Sequence, residues 1–224
     1  MSKTVGVIGG MGPEATVDFL RRIVTATPAR GDADHIRVLV DNNPKIPSRI
    51  AALIDGTGAD PLPVLIEMAR GLERQGADFL TIPCNTAHYY LPSIAQAVSI
   101  PILDMVALAI AKAQGKRVGM LASPAVQKVG LYTARLAAAG RTAVFPDAQG
   151  EAKVIDVICA VKANALTQRH RGDYAEAAAA LDVDGYLLAC TELSVIGPPA
   201  GITKPYVDAL DVLVEATVHE ALHP

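Results

Sequence analysis

The chain has 224 residues, with 20 Lys+Arg against 23 Asp+Glu and a formal charge of −3. At 51% hydrophobic and 19% charged it can bury a sizeable core, which excludes a disordered chain. Six Tyr, three Phe and no Trp, spread over a nearly neutral chain, exclude a basic stacking surface for nucleic acid. At roughly 150 residues per domain the length fits one large domain or two small ones.

Three cysteines, Cys84, Cys159 and Cys190, are too few for a disulfide framework and fit a reducing compartment. The apolar stretch near the amino terminus is cut by Gly9, Gly10, Pro13 and Glu14, so no signal peptide is expected. Runs of about 18 apolar residues are absent, so no membrane partner is expected and the protein is read as cytoplasmic.

Taken in chain order, Val5–Ile8 is a run of small and branched residues ending at glycines, which suits a buried parallel strand. Pro13 opens a helix with Phe19, Leu20, Ile23 and Val24 on one face. His35–Val40 is predicted as the second strand. Asp60 is predicted to cap a helix carrying Leu65, Met68, Ala69 and Leu72, and Gly76 to end it. Phe79–Ile82, Arg117–Leu121, Ala143–Phe145, Tyr186–Ala189 and Tyr206–Val207 are further strands. Helical periods fill Glu151–Asn164 and Tyr174–Leu181. Alternation of this kind predicts α/β architecture, with mainly parallel sheets flanked by helices.

The chain also repeats itself. Val5-Gly6-Val7-Ile8-Gly9 resembles Val118-Gly119-Met120-Leu121-Ala122. Asp78-Phe79-Leu80-Thr81-Ile82-Pro83-Cys84 resembles Asp184-Gly185-Tyr186-Leu187-Leu188-Ala189-Cys190, and Pro101-Ile102-Leu103-Asp104 resembles Pro205-Tyr206-Val207-Asp208. All three matches keep their order and are offset by close to half the chain. The expected organisation is two pseudo-symmetric domains, residues 1–102 with 208–224 carrying Cys84, and 103–207 carrying Cys190.

Each half thus presents one cysteine at the carboxyl end of a strand, where ligands of open α/β sheets bind. A pseudo-two-fold relation would point both thiols into one cleft, one on each side of a substrate carbon. That arrangement suits racemisation, because one thiolate removes a proton from one face while the other thiol delivers one to the opposite face. Cysteine, with a reference pKa of about 8.5, is accessible in both forms near neutrality. Helix starts are expected at Asn85-Thr86 and Thr191-Glu192, where partial positive charge would favour a thiolate or hold a carboxylate.

Pro83-Cys84-Asn85-Thr86-Ala87-His88 and Cys190-Thr191-Glu192-Leu193 resemble the two signature motifs of the aspartate/glutamate racemases. Gly6–Thr16 resembles that family's amino-terminal loop and Asn42–Arg49 its arginine segment, so the likeness runs from Val5 to about Asp211. The resemblance implies two flavodoxin-like domains with the active site in the cleft between them, no cofactor and no metal, and a homodimer acting on a small acidic amino acid. By position it implies Cys84 and Cys190 as the paired acid and base. It further implies Asn85, Thr86 and Thr191 at the α-carboxylate, and Arg49 and Lys162 at the side-chain carboxylate. Met11 would line the cleft, and Glu192 would tune its neighbouring thiol or hold the substrate ammonium. The chain departs from the family pattern at Ala125-Val126, where Gly-Thr is common, and at Ser48 and Asn164, which replace the more usual Asp and Gly.

Plainer readings stand beside these. Free cysteines are often simply buried, and Cys159, within an apolar helical run, is expected in the core. The glycine loop lacks G-x-G-x-x-G spacing, so a tight turn near a small ligand is preferred to a nucleotide site. His219-Glu220-Ala221-Leu222-His223 matches H-E-x-x-H, but one residue follows it and no third ligand is in reach, so metal catalysis is rejected. His88 would either assist the thiol or pack its helix. The function read from the chain is racemisation of aspartate or glutamate through Cys84 and Cys190. The alternatives are a related cysteine-dependent isomerase or decarboxylase, or a silent amino-acid-binding protein.

Overall fold

The computed structural model describes residues 2–223. The chain divides into two compact units, Met1–Met105 with Leu210–Pro224, and Val106–Ala209.

In the first unit β1 (Val5–Gly9) is wholly buried and lies between two parallel neighbours, β2 (Val38–Asn42) and β3 (Phe79–Thr81). The connecting helices are α1 (Pro13–Ala26) and α2 (Leu62–Arg74), and the short α3 (Leu91–Ala95) follows β3. Small and branched residues fill β1 because both of its faces must be dry. Pro13 stands at the first turn of α1, which turns Ala15, Phe19 and Ile23 inward. The second strand begins at Val38, later than the apolar run suggests, because the Asp34 carboxylate accepts the Arg30 and Gly31 N–H groups. That contact folds Asp32–Asp34 into a 3-10 turn that His35 closes. At α2 the Asp60 carboxylate accepts the Leu62 N–H at 2.9 Å, Pro61 holds the cap position, and Gly76 leaves with φ 92°.

In the second unit β4 (Arg117–Ala122) is the central strand of the order β5-β4-β6-β7, with β5 Thr142–Val144, β6 Gly185–Ala189 and β7 Tyr206–Asp208. All three pairings are parallel. Helix α4 (Met105–Lys112) leads into this unit, followed by α5 (Pro124–Lys128), α6 (Thr133–Ala138), α7 (Ala148–Lys162), α8 (Gln168–Ala179) and α9 (Thr191–Ile196). Helix α10 (Ala209–Leu222) returns the chain to the first unit, where the Lys3 N–H reaches the Ala221 carbonyl at 2.9 Å.

The repeats recur as structure. Asp78 exchanges hydrogen bonds with Thr4, its N–H to the Thr4 carbonyl and its carboxylate from the Thr4 N–H. Asp184 does the same one half later, donating to the Arg117 carbonyl and accepting from the Lys116 and Arg117 N–H groups at 2.8 Å. Each aspartate pins the start of its strand to the central strand. The Pro101 carbonyl takes the Leu80 N–H and the Pro205 carbonyl takes the Tyr186 N–H, so the Leu80–Ile102 bridge is a rudimentary form of β7. The sequence repeat is therefore carried by the same hydrogen bonds within each unit. Among the described residues no helix is long and apolar enough to cross a membrane.

Gly10 follows β1 at φ +93°, and a Cβ there would stand 2.3 Å from the Asn43 backbone. Gly10→Ala is expected to destabilise the protein by at least about 2 kcal/mol in urea unfolding, since neither strain nor clash has a flexible neighbour to absorb it. An unchanged midpoint would contradict this.

Candidate active site

In the first unit the chain leaves β1 toward β2 on one side and returns to β3 on the other. Strand order reverses there, and the carboxyl ends of β1 and β3 are the place where open α/β sheets bind ligands. Two loops border it, one from Gly10 to Gly12 and one carrying Cys84. The Thr16 hydroxyl fixes the first, accepting the Gly10 N–H at 2.9 Å and donating to the Gly12 carbonyl at 3.1 Å. The second turns tightly, with the Cys84 N–H on the Ile82 carbonyl at 2.7 Å. Met11, Ile46, Cys84, Ala87 and Tyr90 belong to one buried cluster.

His88 holds this loop by its backbone. Its Nε2 accepts the Met105 N–H at 3.1 Å, so Nδ1 carries the proton and donates to the Cys84 carbonyl at 2.9 Å. The imidazole is thus a neutral staple rather than an aid to the sulfur. Asn85 and Thr86 are buried beside it. The segment Thr86–Tyr90 is a 3-10 turn, in place of the expected α-helical start. Pro92 supplies the reason, having no N–H to give the His88 carbonyl in an α-helical register.

Arg49 lies half-buried after Pro47, with Nη1 donating to the Pro47 carbonyl at 3.1 Å and a buried Nε that has no hydrogen-bond partner. Among the described residues no carboxylate forms an ion pair with it. Burial raises the Tyr90 hydroxyl pKa above its ordinary value, and the Arg49 charge partly opposes this.

The second unit has the equivalent reversal at β4, bordered by Ser123 after β4 and Cys190 after β6. Cys190 caps α9, and its thiol donates to Glu192 Oε2 at 3.1 Å. The other carboxylate oxygen faces the Lys162 ammonium at 3.5 Å, an ion-pair distance too long for a good hydrogen bond. Glu192 and Thr191 are buried, whereas Lys162 is exposed at the end of α7. Burial pushes the Cys190 thiol well above its usual range, and the Glu192 charge and hydrogen bond add to it; Lys162 and the Glu192 N–H act the other way. The expectation that this helix start favours a thiolate is therefore corrected. Helix α9 has six residues, and a buried carboxylate in its first turn outweighs its few N–H groups.

Three buried side chains were given no site role in the sequence. The Ser194 hydroxyl donates to Asp208 at 2.6 Å, and Tyr174 lies in the same cluster as Cys190. The terminal Asp208 of the repeated Pro-Tyr-Val-Asp segment was the available signal for the first.

Cys159 is exposed, a correction to the core assignment. Helix α7 turns Val154, Val157, Ile158 and Val161 inward, and at 100° per residue position 159 falls on the opposite face. Asn164 just beyond it has φ 51°, the left-handed conformation that Asn tolerates. Val126 is fully buried in α5, where a methyl is at home. The rings of His219 and His223 stack at 4.5 Å, with Glu220 turned to Lys3 at 2.6 Å. Among the described residues no group of three or more His, Cys, Asp or Glu is placed to hold a metal.

The family model for Asp/Glu/hydantoin racemases matches residues 8–217. An aspartate racemase of Picrophilus torridus is 32% identical and superposes with a TM-score of 0.88, over 98% of this chain and 94% of that one. The broad specificity amino-acid racemase RacX of Bacillus subtilis is 28% identical over 96% of both chains. Glutamate racemase RacE1 of Bacillus anthracis, 16% identical with a TM-score of 0.67 over 98% of this chain and 82% of that one, shares the fold.

His88→Phe fills the same space but leaves a buried carbonyl and a buried N–H unpaired. It is expected to cost about 2–4 kcal/mol in unfolding free energy, and His88→Gln less. Equal stability of His88→Phe and the parent chain would contradict the staple.

Proposed function

The chain belongs to the Asp/Glu/hydantoin racemase family, and from that premise we propose that it interconverts the enantiomers of aspartate or glutamate by two-base proton transfer between Cys84 and Cys190. The observation that carries this reading is the repeated placement of one buried thiol beyond the equivalent strand of each unit, β3 and β6. A thiolate takes the α-proton from one face of the substrate, and the second thiol returns a proton to the other. The sulfurs exchange roles in each turnover, so atoms and charge balance without an added cofactor.

The α-proton of an amino acid is weakly acidic, so the developing carbanion needs electrostatic support. Asn85, Thr86 and Thr191, each beside a cysteine, are suited to the α-carboxylate. Arg49, a guanidinium with no ion-paired carboxylate among the described residues, is suited to fork the side-chain carboxylate. Met11 shares the Cys84 cluster and supplies an apolar wall. Lys162 adds a second cation.

Single enantiomers of aspartate and glutamate, followed by chiral chromatography without added cofactor, are expected to racemise. Cys84→Ala and Cys190→Ala should each slow this by roughly 10³-fold or more with unchanged circular dichroism. Near-parental rates in either folded variant would refute the two-thiol mechanism. Release of CO₂ or a changed carbon skeleton would select a decarboxylase or another isomerase, and inert substrate a binding protein.

A further inference from the structure

In both units the residue four places after the cysteine ties that cysteine to the end of a neighbouring strand segment, by different chemistry in each. His88 stands four after Cys84, and its ring joins the Cys84 carbonyl to the Met105 N–H. Met105 directly follows Pro101-Ile102-Leu103-Asp104, the segment that meets β3 at the Leu80–Ile102 bridge. Ser194 stands four after Cys190. Its N–H donates to the Cys190 carbonyl at 3.2 Å and its hydroxyl to Asp208 at 2.6 Å. Asp208 ends the repeated Pro205-Tyr206-Val207-Asp208 and lies opposite Leu188 in the β6–β7 register, close to the end of the strand that carries Cys190.

Helix α9 has six residues and stops at Gly197 with φ 77°, too short to hold its own geometry. Its position must come from contacts outside it. Ser194 and Asp208 are 1% and 6% exposed, so water does not compete for their bond, and 2.6 Å suits a hydroxyl on an ionised carboxylate. Burial raises the Tyr174 hydroxyl well above its usual range, and Asp208 and Cys190 both add to it, so carboxylate and sulfur share one buried neighbourhood. The Cys190 carbonyl is held by the Leu193 and Ser194 N–H groups at 2.9 and 3.2 Å. A shift of α9 therefore carries its cap residue, and the sulfur, with it.

We propose that Ser194 and Asp208 are positioning residues for proton transfer at Cys190, the counterpart in the second unit of the His88 ring in the first. This assignment rests on the two-thiol reading above. The pair acts through the main chain: Asp208 fixes Ser194 against β7, and Ser194 fixes the carbonyl of Cys190. Misplacing a reacting group by about 1 Å costs on the order of 10²-fold in rate. Loosening the Ser194–Asp208 contact slows the transfer at Cys190 and leaves the transfer at Cys84 as it was.

The α-deuterium isotope effect on kcat/KM, measured from each enantiomer, reads the two transfers separately. Ser194→Ala is expected to lower kcat/KM by about 10–100-fold. From the enantiomer that gives its proton to Cys190 the isotope effect should rise, because proton removal has slowed. From the other it should fall, because proton return has slowed. His88→Gln should give the mirror pattern, and Ser194→Thr, which keeps the hydroxyl, should return most of the rate. Asp208→Asn keeps an acceptor but not the charge; it should move the isotope effects in the same sense as Ser194→Ala by less, and serves if Ser194→Ala does not fold. A merely structural role would move both directions alike, and that result, or parental kinetics in folded Ser194→Ala, would overturn the proposal. Hydrogen exchange at the Leu193 amide is a reading independent of turnover. It should quicken about tenfold in Ser194→Ala while the His88 amide, bonded to the Asn85 carbonyl, is unchanged. An unaltered Leu193 amide would also overturn the proposal. If that amide loosens while Cys84→Ala or Cys190→Ala still racemises, the two-thiol reading fails and the tie from Cys190 to β7 stands.

Discussion

A parallel strand buried on both faces leaves its chemistry to its ends, and in each unit the strand order turns back beside the central strand. The crevice that results is the part of an open α/β sheet where backbone groups and side chains converge on a ligand without disturbing the core. Here the chain fills that position twice, with Cys84 beyond β3 and Cys190 beyond β6. The aspartate latches at Asp78 and Asp184 fix the opposite ends of those same strands, so the register that carries each thiol is pinned by hydrogen bonds to the central strand. The proposed chemistry depends on this register, since a one-residue slip would turn each alternate side chain to the other face.

Around that common frame the two units use different devices. The first secures its cysteine through the backbone: His88 ties the Cys84 carbonyl to the Met105 N–H, and Thr16 closes the facing glycine loop. The second acts on the sulfur itself, through a buried carboxylate. An ordinary exposed ion pair contributes about 0–1 kcal/mol, so Lys162, with 43% of its side chain in water, only partly offsets Glu192. Burial and the carboxylate therefore act together to raise the Cys190 pKa.

Much of this was legible in the amino-acid order. Strands β1, β3, β4 and β6 announce themselves as apolar runs bounded by glycine, proline or aspartate, and the half-chain repeat anticipates the equivalent hydrogen bonds of both sheets. Elements whose form depends on one local competitor were harder to read. The Asp34 carboxylate captures the segment before Val38, and Pro92 denies an α-helical register to the turn after Cys84. Cys159 misled because apolar neighbours on both sides hide a helical position that faces outward. The role of Glu192 was open between tuning a thiol and binding an ammonium, because composition carries no information on where a carboxylate oxygen points.

In the proposed reaction, proton removal and proton return are done by different groups. In deuterated water, a single enantiomer stopped at a few per cent conversion separates the two possibilities. The product enantiomer and the recovered substrate are resolved by chiral chromatography and weighed for α-deuterium. Two bases predict one deuterium in the product and essentially none in the recovered substrate. Deuterium entering both enantiomers at the same rate would mean that one group serves both faces, and would contradict the account.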